Sequence, residues 1–289
     1  MITPAMEHRT GHAGPLVRYP VASYFVLAFG ISWLGALAVV SPHLLRHEPV
    51  PKFTGLMMFP VMLLGPSFGG ILMTWLSNGR EGVRDLAGSM RCVNFPARWY
   101  AILLLPATLI LIVLTVLRAE VLPVFTPNHF YAGASFGIIA GFLEEIGWMG
   151  YAFSMMARRH NALFSAMVLG VLWSIWHLPV VDYLGTATPH GEFWLRYFLA
   201  FMAAMIAMRI VIAWVYTNTK SVLLCQLLHA ASTGALVVLS PARVNAAQEA
   251  GWYFAYATLL WIVVAVIVLA CGSELRLHRS AALAAQRVS

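Results

Sequence analysis

Residues 131–156 read YAGASFGIIAGFLEEIGWMGYAFSMM, an apolar stretch whose only charged side chains are the adjacent Glu144 and Glu145. An α-helix of roughly 17–25 predominantly apolar residues crosses a lipid bilayer. The stretch is therefore predicted to span a membrane with two carboxyl groups near its middle. The residues that other spans place beside these carboxyl groups are therefore the main guide to function.

The composition of the whole chain is that of an integral membrane protein. Of its 289 residues, 61% are hydrophobic and 10% are charged, whereas soluble domains carry about 25% charged residues. These values exclude a soluble globular domain and a disordered chain. The net charge of +7 comes without a basic stripe or a nucleic-acid-binding motif, so we expect no nucleic-acid partner. The three cysteines form no CxxC pair, which argues against a disulfide framework and against redox chemistry.

Seven further apolar stretches are long enough to cross a bilayer. The sequence therefore predicts an all-α polytopic membrane protein, a bundle of about eight transmembrane helices that forms a single integral-membrane domain over residues 1–289. Residues 19–271 are predicted to form the bundle, with an N-terminal tail at 1–18 and a C-terminal tail at 272–289. The predicted spans are 19–40, 53–77, 99–117, 131–156, 163–180, 193–217, 221–239 and 252–271.

Lysine and arginine are unequally divided between the two ends of these spans. Twelve lie on the side that carries both termini and five lie on the opposite side. Basic residues are enriched on the cytoplasmic side of membrane proteins. We therefore expect both termini in the cytoplasm and place this multi-pass protein, with the lipid bilayer as its environment, in the inner membrane of a bacterial cell.

Few ionisable side chains lie well inside the predicted spans. Each is unfavourable there, by about 2.5–3.5 kcal/mol for a charged residue at the helix centre, and is usually functional. A buried carboxylate can act as a general base on water, and a histidine can share the proton transfer or bind an oxyanion. The set therefore suits hydrolysis, and it comprises Glu144, Glu145, His177, His229 and Arg209.

The seventh predicted span carries polar residues on one helix face. Spacings of three and four residues bring them together, and a polar stripe toward lipid would be unfavourable. We expect this stripe to face the interior of the bundle. It consists of Cys225, Gln226, His229, Ser232 and Thr233.

Three motifs, in order on separate spans, resemble those of one protease family. Residues 144–150 (EEIGWMG) are similar to its EExxxR motif, and residues 173–179 (WSIWHLP) are similar to its second motif, which contains a histidine. Residues 226–229 (QLLH), with Thr233 four residues later, resemble a third motif in which a histidine precedes Asn or Asp. On these motifs the chain resembles the CAAX prenyl protease 2 / Abi (CPBP) family of intramembrane glutamate-dependent endopeptidases, with its core at about residues 65–239.

The resemblance implies an intramembrane endopeptidase that hydrolyses a peptide bond of a membrane-associated peptide or protein. By position, Glu144 would activate the water with Glu145 beside it, and His177 would assist or bind the oxyanion. His229 and Thr233 would complete the oxyanion site. No cofactor is expected; the alternative is a divalent metal such as zinc, held by Glu144, Glu145, His177 and His229.

Two positions depart from the family motifs. Met149 stands where EExxxR has its arginine, and Thr233 stands where the third motif has Asn or Asp. One alternative is therefore a catalytically altered member that serves as a bacteriocin-immunity or membrane-peptide-binding protein. The residues also leave open acid–base chemistry on a lipid or isoprenoid, a proton-relay transporter, and a nucleophilic Cys225 paired with His229.

Arg209 lies at a depth that allows it to replace the missing arginine. The glutamates precede Arg158 by 13 or 14 residues, or roughly 20 Å of helix, and Arg209 precedes Lys220 by eleven residues, or roughly 16 Å. We predict that Arg209 pairs with a glutamate from a neighbouring helix. The alternative is that its side chain extends to the lipid headgroups.

Overall fold

The computed structural model describes residues 15–181 and 190–277, and α-helices dominate these ranges. No β-strand occurs in them beyond one isolated bridge between Pro127 and Pro241. The predicted all-α fold is thereby confirmed. The helices of eleven or more residues are α1 (Pro20–Leu45), α2 (Lys52–Met62), α3 (Leu64–Ser89), α4 (Leu105–Glu120), α5 (Ala134–Gly147), α6 (Ala162–Trp176), α7 (Trp194–Thr219), α8 (Val222–Leu239) and α9 (Ala246–Cys271).

Six stretches of the described chain are long and apolar enough to cross a membrane. The protein is therefore a polytopic membrane protein. The fourth and fifth predicted spans are also helical, but the fourth is interrupted and the fifth, α6, is a shorter apolar helix. The total of eight spans and the cytoplasmic termini stay predictions. The six stretches are Pro20–Leu45, Phe53–Ser89, Ala97–Glu120, Gly191–Thr219, Val222–Leu239 and Ala246–Cys271.

The second predicted span continues further than its apolar residues indicate. The polar residues 78–82 favour a connection between spans, but α3 runs through them to Ser89. The helix is kinked there because Gly79 adopts φ 62° and ψ −151°, a conformation that glycine accepts without a steric penalty. The expected turn is thus a kink inside one helix.

The fourth predicted span is divided immediately after the two glutamates. Helix α5 ends at Gly147 and continues as a π-helix over Trp148–Phe153, followed by one α-helical turn at Ser154–Met156. A π-helix bonds each residue to the fifth one along the chain and occurs often at functional sites. The irregular turn includes Met149, the position at which the family motif has arginine.

Side-chain caps define where the helices around the site begin. Asn161 accepts a hydrogen bond from the backbone N–H of Phe164 at the start of α6, and Ser221 accepts one from Leu224 at the start of α8. Such caps satisfy N–H groups that have no partner within the helix. Helix α7 ends because Lys220 adopts the left-handed conformation, with φ 56°.

Helices α5 and α8 are in backbone contact through glycines. A Cβ atom on Gly141 would lie 2.5 Å from the carbonyl oxygen of Gln226 and 2.6 Å from the backbone nitrogen of Ala230. Gly137, one turn earlier, meets Ala230 and Gly234 in the same way. Small residues allow such close approach between membrane helices. The contact places the two glutamates of α5 beside the polar face of α8.

The first prediction concerns this contact. Gly141→Ala should force α5 and α8 apart and destabilise the protein by about 1–3 kcal/mol, as overpacking does in other cores. Thermal unfolding in detergent measures the effect as a lower Tm. Gly30→Ala is the matched control, because no atom lies within 4 Å of the added methyl group there. Equal Tm values for the two variants would contradict the proposed contact.

Candidate active site

Glu144 is held by two tryptophans on one side of its carboxyl group. Its Oε2 atom accepts hydrogen bonds from the indole Nε1–H of Trp148 at 3.0 Å and of Trp173 at 2.7 Å. Trp148 lies one turn further along the same chain segment, whereas Trp173 comes from α6. Glu144 is only 1% exposed, and within the described residues no hydrogen bond reaches its Oε1 atom. One oxygen is thus fixed, and the other has no hydrogen-bond partner among the described side chains.

Glu145 makes three contacts with two side-chain nitrogen atoms. Nη1 of Arg209 lies 2.8 Å from both of its oxygens, and Nδ1 of His229 lies 2.7 Å from Oε1. These side chains come from α5, α7 and α8, and all are buried. The prediction that Arg209 pairs with a glutamate from another helix is confirmed. The alternative, an arginine that extends to the headgroups, is wrong.

Arg209 also stacks on an aromatic ring. Its guanidinium carbon lies 4.1 Å from the ring centre of Trp173, which adds a cation–π attraction. Its Nε and Nη2 atoms have no hydrogen-bond partner within residues 15–181 and 190–277. The charge of Arg209 is therefore balanced by Glu145 alone among the described hydrogen-bond partners.

His177 lies at the C-terminal end of α6, one turn after Trp173. Its Nδ1 atom is 2.8 Å from the carbonyl oxygen of Trp173, an acceptor to which Nδ1–H donates. A neutral imidazole that donates from Nδ1 has a free lone pair on Nε2. The ring is enclosed by Trp173, Trp176 and Phe201, at centre-to-centre distances of 5.4, 4.9 and 5.5 Å. The orientation of His177 is thus determined by its aromatic neighbours.

His229 and Thr233 lie one turn apart on α8. His229 is 1% exposed, and its ring is 5.1 Å from that of Trp173. The stripe predicted to face the bundle interior is buried at Cys225, Gln226, His229 and Ser232, and Thr233 is partly exposed. Four of the five stripe residues are therefore buried as expected, and the fifth is only partly buried.

Cys225 is directed toward a neighbouring backbone. Its thiol lies 3.7 Å from the carbonyl oxygen of Ile212 on α7, and the hydrogen-bond partner of His229 is Glu145. The contacts therefore do not form a Cys225–His229 pair, and the nucleophilic cysteine that the sequence leaves open is not supported.

Trp173 is a site residue whose role the sequence pattern does not indicate. It donates to Glu144, stacks on Arg209, and contacts the rings of His177 and His229. The available signal is its place one helical turn before His177, which puts both side chains on one face of α6. Its indole N–H is a donor whose direction only the packed structure reveals.

Two comparisons with known proteins agree with this geometry. Residues 126–235 match the family described as type II CAAX prenyl endopeptidase Rce1-like, a range that contains the five predicted site residues. The chain is also 24% identical over 230 residues to CAAX prenyl protease 2 of Methanococcus maripaludis, which covers 73% of this chain and 82% of the relative. With its three motifs brought to one site, the chain is similar to the CAAX prenyl protease 2 / Abi (CPBP) family of membrane proteases.

Proposed function

We propose that this protein is an intramembrane endopeptidase that uses Glu144 to activate water for hydrolysis of a peptide bond in a membrane-associated peptide or protein. The observation that carries the proposal is the asymmetric environment of Glu144. One oxygen is fixed by two indole donors, and the other has no hydrogen bond within the described residues. A carboxylate held in this way is suited to general base catalysis.

The proposed reaction begins at Oε1 of Glu144. This oxygen takes a proton from a bound water while the water oxygen forms a bond to the carbonyl carbon of the substrate. The carbonyl oxygen then carries the negative charge of a tetrahedral intermediate. Glu144 next returns the proton to the amide nitrogen as the carbon–nitrogen bond breaks, which leaves a carboxyl and an amino terminus.

His177 is proposed to orient the water. Because its Nδ1–H is directed to the carbonyl oxygen of Trp173, a neutral ring presents Nε2 as a hydrogen-bond acceptor. An acceptor is suited to a second hydrogen of the water and not to an oxyanion. Of the two roles expected for His177, assistance to the water is the one that the hydrogen bond favours.

His229 and Thr233 are proposed to bind the oxyanion. Since Nδ1 of His229 contacts Glu145, the ring has an Nε2–H donor only as an imidazolium. A neighbouring carboxylate stabilises that cation, as in other carboxylate–histidine pairs. With His229 charged, two carboxylates and two cations balance one another in the site. The hydroxyl group of Thr233, one turn later on α8, is the proposed second donor.

We propose that the reaction needs no metal ion. Both oxygens of Glu145 are already bonded to Arg209, and one is also bonded to His229. A guanidinium group in this position competes with a metal ion for the same lone pairs. With His229 charged, as proposed above, its Nε2 also has no free electron pair, and Glu144 and His177 would be the only members of the expected ligand set that have one, fewer than a catalytic zinc usually requires.

We also propose in which membrane the protein lies and from where its substrate reaches the site. The excess of lysine and arginine on the side of both termini supports cytoplasmic termini in a bacterial inner membrane. The substrate would then be a peptide or protein that reaches the site from within or beside the bilayer. We expect no nucleic-acid partner.

The second prediction tests the base. Glu144→Gln keeps the shape of the side chain but removes the proton acceptor, so cleavage should fall by about 10²–10⁴-fold or more, the typical value of general base catalysis. Membrane peptides that accumulate in cells with Glu144→Gln, but not with wild type, identify the substrate for an assay with purified protein. Glu120→Gln, at the exposed end of α4, is the matched control.

Several outcomes of this experiment would contradict the proposal. Full activity of purified Glu144→Gln would exclude Glu144 as the base. Loss of activity on removal of a stoichiometric divalent ion would favour a metal-dependent reaction. Identical membrane peptides in wild-type and variant cells, together with peptide binding by both proteins, would favour an immunity or peptide-binding protein. Turnover of a lipid or isoprenoid instead of a peptide would favour acid–base chemistry on that substrate.

The third prediction tests the fixed oxygen of Glu144. Trp173→Phe keeps an aromatic ring but removes the N–H donor, and a hydrogen bond to a charged group contributes about 1.5–3 kcal/mol. We expect kcat to fall by about 10–100-fold. Trp252→Phe is the control, since Trp252 is fully buried but its Nε1 has no partner among the described residues. Equal losses in the two variants would show that packing alone is responsible.

A further inference from the structure

We infer that Arg209 is a positioning residue for the proposed hydrolysis. It reaches Glu145 from a neighbouring helix and holds this carboxyl group ionised, and it thereby replaces the motif arginine, whose position is occupied by Met149. The catalytic part of this inference rests on the proposed function. Its electrostatic part concerns the charge of one buried carboxyl group and is measurable without a substrate.

The hydrogen bonds of Glu145 fit its ionised form. Both oxygens accept from Nη1 of Arg209 at 2.8 Å, and Oε1 also accepts from Nδ1 of His229 at 2.7 Å. A protonated carboxyl group could keep these contacts only by donating from Oε1 to a neutral His229, and the cation of Arg209 would then face a neutral group. The arrangement therefore fits a carboxylate, which only accepts.

Stability alone does not explain an arginine at this position. Among the described side chains, Arg209 is the only lysine or arginine that is buried, and its Nε and Nη2 atoms lack partners there. Buried ion pairs with incomplete hydrogen bonding are often no more stable than well-packed apolar residues. What an apolar residue cannot supply is the positive charge beside Glu145.

Met149 marks the position from which the family motif supplies an arginine. It is fully buried and follows Glu145 by four residues, a spacing that brings two side chains together on one helix face. In this chain the cation instead comes from α7, which packs against α6 and α9 and contacts α8. The same carboxylate can thus be reached by a cation from its own helix or from a neighbouring one.

The contact with His229 explains how Arg209 would affect the reaction. An ionised Glu145 accepts from Nδ1–H of His229 and stabilises the imidazolium whose Nε2–H is the proposed oxyanion donor. A protonated Glu145 would donate to Nδ1 instead and leave a neutral ring, whose Nε2–H is a weaker donor to an oxyanion. Arg209 therefore acts through Glu145 and His229 and needs no contact with the substrate.

The first experiment measures the charge of Glu145 by infrared spectroscopy on purified protein in detergent. Arg209→Met should gain a protonated-carboxyl band that wild type lacks, and the band should vanish in Arg209→Met/Glu145→Gln. Arg196→Met is the matched control, because Arg196 is exposed on the same helix. Absence of the band in folded Arg209→Met would overturn the inference, since Glu145 would then stay ionised without Arg209.

The second experiment moves the charge back to the motif position. Arg209→Met should lower kcat by roughly 10–100-fold with little change in KM, as variants of residues that orient a catalytic group do. Arg209→Lys should retain part of the activity. Arg209→Met/Met149→Arg should lose the protonated-carboxyl band and recover most of kcat. A folded double variant without the recovery of kcat would overturn the inference.

The two experiments remain informative if a variant or the proposed function fails. If Arg209→Met does not fold, Arg209→Met/Met149→Arg carries the test, and its failure to fold while Arg209→Met/Glu145→Gln folds would overturn the inference. If wild-type protein cleaves no peptide, the proposed function is wrong, but the infrared bands still decide whether Arg209 holds Glu145 ionised.

Discussion

The ion pair between Arg209 and Glu145 is the contact on which the rest of the site depends. Both side chains are completely buried, so neither charge is compensated by water. A lone charge at this depth would be strongly unfavourable, and the pair therefore requires α5 and α7 to hold one relative position. His229 joins the same carboxylate from α8, which extends the constraint to a third helix.

Two adjacent acids are placed in different environments by their different partners. Consecutive residues of a helix point about 100° apart, so Glu144 and Glu145 face separate surroundings. Glu145 meets a guanidinium and an imidazole, whereas Glu144 meets two neutral indole donors and keeps one oxygen open. Divergent environments for neighbouring carboxyl groups are a general way to separate catalytic from supporting roles. Here the separation follows from which helix lies on each side of α5.

The sequence predicted this site to the extent that residue type and depth determine it. Apolar runs located the spans, and the rarity of charge inside them identified both glutamates, both histidines and Arg209. Depth along the helix even predicted the Arg209 contact, because the rise per residue is nearly constant. The rest depends on how the helices rotate and approach one another. The π-helix after Gly147, the kink at Gly79 and the donors from Trp148 and Trp173 arise from packing that no local pattern specifies.

Because the cation beside Glu145 comes from α7 and not from position 149, the site depends on how the helices assemble. An arginine at position 149 would lie on the segment that carries Glu145 and would accompany it whether or not the bundle had packed. With the cation on α7, Glu145 is compensated only when the side chain of Arg209 has reached it from that helix, and His229 is fixed only when α8 is in place beside them. The close approach of α5 and α8 requires Gly137 and Gly141. The position of His229 beside Glu145 therefore depends on these two glycines. A partly assembled bundle would therefore lack the ionised carboxylate that orients His229, so competence for hydrolysis would arise together with the complete fold.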